Sequence, residues 1–177
     1  IHNCGSEESR HDGIHSFFVG KNAKVTYTEK HIGIADGKGE SNMNPTTVIN
    51  IDEGGYMEME TTQLSGVDST DRKTTAKLKD NATLVIREKL MTSGVETAKT
   101  DFVVDLDGEN SSANVVSRSV AKDNSYQLFL SRINGNNVFK TPLPLTSSFF
   151  SEPFLSISSM NTIACSAFSK SPPHSTN

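Results

Sequence analysis

The sequence predicts an all-β protein, a parallel β-helix of stacked coils, followed by an irregular Ser/Pro-rich C-terminal tail. Three observations predict it. One turn-plus-strand unit recurs along the first 140 residues, its strands alternate small or apolar with polar side chains, and no intervening segment carries a sustained helical apolar period.

The first unit is VGKNAKVTYTEK at 19–30, where a turn around Asn22 leads into a strand with Ala23, Val25 and Tyr27 on one face and Lys24, Thr26 and Thr28 on the other. IDEGGYMEMETT at 51–62 is a looser copy that turns at Gly54. LKDNATLVIREK at 78–89 matches the first unit at Asn22 and Asn81, at Ala23 and Ala82, and at the closing pairs Glu29-Lys30 and Glu88-Lys89. Before the fourth unit, Phe102, Val104 and Leu106 alternate with Asp101 and Asp105; the unit itself, LDGENSSANVVSRS at 106–119, turns at Gly108 and closes near Arg118. AKDNSYQLFLSR at 121–132 is the fifth. Asn22, Gly54, Asn81, Gly108 and Arg118 are therefore expected at structural repeat positions.

Repeats of this kind cannot bury a face alone and must stack on their neighbours. A hairpin β-sandwich would show the same alternation, but not the self-similarity of the units. Stacking also explains how a core forms at 34% hydrophobic content, because each strand need supply only a few inward side chains.

Composition divides the chain in two. Residues 141–177 hold none of the 12 Gly and only two charged side chains, Glu152 and Lys170, but contain Pro142, Pro144, Pro153, Pro172 and Pro173. Proline removes a backbone donor and disfavours helix and central strand alike. The division is therefore a β-helix core at 1–140 and an irregular tail at 141–177. Phe149, Phe150, Phe154, Leu155 and Ile157 make the tail too apolar for an ordinary solvated linker; a poorly ordered tail is the plainer reading, beside a segment that covers a neighbouring strand edge or a foreign or misread reading frame.

Charge and cysteine content exclude several function classes. With 17 Lys and Arg against 21 Asp and Glu, the net charge of −4 offers no basic face for nucleic acid. No stretch reaches the roughly 18 to 20 apolar residues of a membrane-spanning helix, so no membrane partner is expected. The two cysteines, Cys4 and Cys165, stand at opposite ends and form no disulfide framework, which points to a reducing compartment. The chain opens on Ile1 rather than Met, as a fragment of a longer protein would.

SFFVGKNAKVTYTEKHIG at 16–33, the spacing to REKLMTSG at 87–94, and VVDLDGENSSANVVSRSVAKDNSYQ at 103–127 resemble the core of the SufB/SufD family of iron-sulfur cluster assembly proteins of the SUF system. The resemblance covers roughly residues 5–137 and is most specific in DLDGENSSANVVSRSVA. It implies a right-handed parallel β-helix that serves as a non-enzymatic cytoplasmic scaffold, with a SufB/SufD paralogue and a SufC-type ATPase as partners. The family continues past RINGNN at 132–137 into further coils with a cysteine-bearing region, then a helical domain that docks the ATPase. Here VFKTPLPL begins instead, so the ATPase docking region is expected to be absent, and the cluster-site cysteine has no counterpart in Cys165.

The same resemblance singles out His31, Glu29 and Lys99 as candidates for sulfur or iron handling. His31 stands at the strand end where the SufB branch places a sulfur-accepting cysteine after a similar tyrosine and glutamate, which brings the chain closer to SufD-like or archaeal-type members. Lys99 aligns with a lysine of the proposed SufB sulfur path, where an ammonium would steady a thiolate; a solvent-exposed lysine is the equal competing reading. A permanent iron-sulfur cluster needs about four thiolates or a Cys/His mixture. Two distant cysteines cannot supply them, so an iron-sulfur cluster or iron is expected only as transient cargo.

As metal ligands, His31 and Cys4 are the candidates. Cys4 lies near His2, His11 and His15, though in no zinc spacing; hydrated loop residues and a half-exposed strand-end histidine are the plainer readings. Glu58 and Glu60 share one strand face, as the carboxylates of a β-helical carbohydrate enzyme would, yet exposed adjacent glutamates usually form a solvated face. Arg87 and Arg118 are expected to pair with the strand glutamates across coils. GIADGKGES at 33–41 fails as a phosphate loop, because Gly33 and Gly37 are too close and Gly39 follows Lys38 where Ser or Thr is required; no nucleotide is expected on this chain. Asn81 and Asn110 match the glycosylation tripeptide, a pattern frequent by chance. A purely structural solenoid remains the third reading, beside scaffold and carbohydrate enzyme.

Overall fold

A computed structural model describes residues 9–32, 40–64, 66–136 and 159–168. Among these there is no helix. The strands are β1 (Ser9–His11), β2 (Ile14–Val19), β3 (Lys24–Ile32), β4 (Ser41–Met43), β5 (Thr46–Ile51), β6 (Tyr56–Leu64), β7 (Ser69–Leu78), β8 (Thr83–Thr92), β9 (Thr97–Leu106), β10 (Ser112–Ala121), β11 (Tyr126–Gly135) and β12 (Ser159–Phe168).

All but β12 stack in two parallel sheets to give a β-solenoid of about four turns. One sheet takes the first strand of each coil. β1 and β2 pair with β4 and β5, both of which pair with β7, followed by β9 and β11. Pro45 lies in the gap between β4 and β5, where its missing donor is tolerated. The other sheet takes the returning strands β3, β6, β8 and β10. Its register runs from Lys24 to Tyr56, Thr83 and Ser112, steps of 32, 27 and 29 residues. That is the repeat legible in the sequence.

The turn from first to second sheet is built the same way in each coil. Asn22, Gly54, Asn81 and Asn110 all have left-handed φ, between 54° and 67°, a region open to glycine and tolerated by asparagine. The turns stack through their backbones: Asn22 N donates to Glu53 O at 2.9 Å, Gly54 N to Asp80 O at 2.8 Å and Asn81 N to Glu109 O at 2.7 Å. Gly108 is required for a different reason, since a Cβ there would run into the backbone of Lys79 and Asp80.

The interior is two-toned along the strands. Near these turns it is apolar, with Ile49, Ile51, Met57, Met59, Leu78, Leu84, Ile86, Phe102, Val104 and Val115 wholly or almost wholly buried. Each such side chain contributes roughly 1.5–3 kcal/mol of burial. Toward the opposite end the inward positions become polar, with Glu29, Thr61, Gln63, Thr70, Arg72, Thr74, Glu88, Thr100 and Ser117 all buried.

Two expectations need correction. The tail expected to be irregular contains a strand at 159–168: β12 pairs antiparallel with β10 along its whole length, Ser112 opposite Phe168 and Ala121 opposite Ser159. The exposed edge of β10 offers a row of unpaired backbone groups, and SMNTIACSAF has no proline to prevent pairing. The remainder of 141–177 lies outside the described residues. Arg118 is exposed, in register with Lys89, and forms no ion pair among the described residues. Its outward phase on β10 places it beside a like charge rather than a carboxylate.

Candidate functional site

The polar half of the interior brings together groups from both sheets. On β3 the inward positions are Val25, Tyr27, Glu29 and His31, two residues apart, so Glu29 and His31 share a face. His31 Nε2 lies 2.6 Å from Glu29 Oε1, within ion-pair reach but off the alignment of a full hydrogen bond. His15, on β2, places Nδ1 3.8 Å from the same oxygen and 3.5 Å from the Tyr27 hydroxyl. His11 on β1 stacks obliquely near His31, with ring centroids 6.4 Å apart.

Arg72 on β7 crosses the interior from the other sheet. Its Nη1 donates to Glu29 Oε2 at 3.3 Å and its Nε stands 3.9 Å from Glu88 Oε1, with the side chain only 2% exposed. Glu88 in turn accepts from Thr100 Oγ1 at 3.0 Å and Ser117 Oγ at 2.7 Å. One guanidinium thus serves two buried carboxylates from coils that are not adjacent, the geometry for which a planar, always-charged fork is suited. Burial alone would push the Glu29 carboxyl up. His31, Arg72 and His15 outweigh that and hold it at about 2. The Tyr27 hydroxyl is raised, by burial and then by the Glu29 charge.

Of the sequence-derived candidates, the structure unites Glu29 and His31 and separates Lys99. Lys99 lies on the outward phase of β9, between buried Ala98 and Thr100 and in register with Asp71, so it faces away from the interior. Cys4 lies outside the described residues. Cys165 falls on β12 opposite Val115. Residues 33–39 of the GIADGKGES segment are also outside the described residues. Among the described residues no group of three or more His, Cys, Asp or Glu is placed to hold a metal ion; Glu29 and His31 offer two ligands, and a third would have to come from elsewhere.

Glu58 pairs with Arg87, and Glu60 with Lys89 at 2.5 Å. These are rungs between neighbouring strands on the outer surface, the arrangement of a solvated face. Arg87 behaves as expected from the sequence. Arg72 and the burial of Glu88 escaped sequence reading. The signal was present: counting back in twos from the apolar Leu78 and Ala76 puts Thr74, Arg72 and Thr70 on the inner face.

A family model for the SUF system FeS cluster assembly SufBD core domain matches residues 1–137. The chain belongs to the SufBD core family. Two curated SufBD relatives are archaeal. An iron-sulfur cluster assembly SufBD family protein of Methanocaldococcus jannaschii is 33% identical over 119 residues, covering 67% of this chain and 37% of that protein. A second from Archaeoglobus fulgidus is 30% identical over 112 residues, covering 63% and 29%. The chain therefore spans about a third of the length of these SufBD proteins. No solved structure matches it.

Proposed function

We propose that the chain is part of a non-enzymatic scaffold for iron-sulfur cluster assembly in the cytoplasm, positioning groups for transient handling of sulfur or iron. The observation that carries the reading is the SufBD core match across the whole solenoid, joined by the names of both relatives, which assign them to iron-sulfur cluster assembly. Stacked strands fix side chains at repeat distances of roughly 4.8 Å, which suits placement rather than bond-making. In this reading Glu29 and His31 present the handling groups, Arg72 fixes the carboxylate, and the remaining ligands for cargo come from a SufB/SufD paralogue. A SufC-type ATPase completes the assembly.

The test is anaerobic reconstitution of the full chain with ferrous iron and sulfide, together with a SufB-like and a SufC-like protein. Complex formation accompanied by visible cluster absorption is the expected result. Absence of both would overturn the proposal.

A further inference from the structure

Two columns of inward side chains face each other across the polar half of the solenoid. On the first sheet, register places His15, Thr47 and Thr74 side by side on β2, β5 and β7. On the second, it places Glu29, Thr61, Glu88 and Ser117 side by side on β3, β6, β8 and β10. The columns meet at their first members, where His15 and Glu29 are 3.8 Å apart. Arg72 spans from the Glu29 level to the Glu88 level, passing the level of Thr61.

At the second coil the columns therefore present Thr47 and Thr61, which are 0% and 1% exposed. Among the described residues neither hydroxyl has a hydrogen-bond partner, and the same holds for Thr74 Oγ1 and Gln63 Oε1 nearby. Orphaned buried hydroxyls are rare, because desolvation without a replacement partner is costly. Folded proteins meet such groups with ordered water, which needs about two to four polar partners. Here Thr47, Thr61, Thr74 and Glu29 supply that number, and a valine at either threonine would have removed the need.

We infer that the second coil is a water-binding site: ordered water sits between Thr47 and Thr61, bonded also to Glu29 and Thr74. It lies in the polar column between Glu29 in the first coil and Glu88 in the third, and Glu88 accepts from Thr100 and Ser117 in the fourth. Its ligand is water or a neutral solute of that size able both to donate and to accept. The inference concerns the interior alone and does not depend on the cargo.

Isosteric Thr→Val substitutions in the full chain test it. If the hydroxyls hold water, Thr47→Val and Thr61→Val each lower the urea midpoint, and the double variant loses less than the sum because both act on shared water. Dry orphans give the opposite sign, a raised midpoint, and overturn the inference. A high-resolution crystal structure of the unaltered protein gives an independent reading should a variant fail to fold. Water within hydrogen-bond distance of both Oγ1 atoms is expected; direct protein partners for the two hydroxyls, or an empty gap between them, overturn it.

Discussion

Arg72 on β7 reaches back across the interior to Glu29 on β3, its Nη1 3.3 Å from Oε2. That contact ties the third coil to the first and skips the coil between. It fixes the one carboxylate that also meets His31 and His15, so the candidate site depends on it for geometry and charge together.

Acid should weaken the fold through Glu29. Its carboxyl is at about 2 in the folded chain against an ordinary value of 4.5. A depressed carboxylate contributes stability above its unfolded value, and that contribution is lost as pH falls. The loss should run from about pH 4.5 down to about pH 2, reaching at most about 3 kcal/mol. Urea midpoints measured across this window should fall steeply for the native chain and more gently for Glu29→Gln.

Removing Arg72 should cost far more than removing an exposed arginine. Arg72→Leu leaves Glu29 and Glu88 buried without their shared counter-charge, a loss of about 3–5 kcal/mol. Arg87→Ala breaks only a surface rung to Glu58 and should cost less than about 1 kcal/mol. Denaturant unfolding of the two variants side by side checks the contrast.

Asn81 should tolerate glycine and resist alanine. Its φ of 57° is left-handed, where a Cβ without a compensating polar group costs about 1–2 kcal/mol. Asn81→Gly is expected to stay within a few tenths of a kcal/mol of the native chain. Thermal melting of both variants separates the outcomes.

Leu84 should be a point of large loss. It is wholly buried beside Met57 and Ala113 in the apolar half, and Leu84→Ala should cost about 2–5 kcal/mol through lost burial and a residual cavity. Equilibrium unfolding gives the value directly.

For function, His31 and Lys99 should part company. In the reconstituted assembly, His31→Ala should reduce cluster absorption several-fold. Lys99→Ala should leave it near the native level, because Lys99 lies on the outer surface. Equal losses in both would contradict the interior placement of the handling groups.

The sequence by itself determined the repeat. The recurrence of Asn22, Gly54 and Asn81 needs only local backbone physics, because a left-handed turn residue is demanded whatever surrounds it. Alternation placed Tyr27, Glu29 and His31 on one face for the same reason, period two in any strand. What stood opposite that face was decided only by tertiary structure. The pairing of Arg72 with Glu29 spans 43 residues and depends on how far each coil advances, which the unequal steps between registers set and no local pattern encodes. The outward phase of Lys99 follows from the alternation that puts Phe102 and Val104 inward, whereas the like-charge neighbour of Arg118 is a consequence of the same register. So is the place of β12, since an open strand edge accepts any chain segment able to pair, and only the finished solenoid shows that β10 is such an edge.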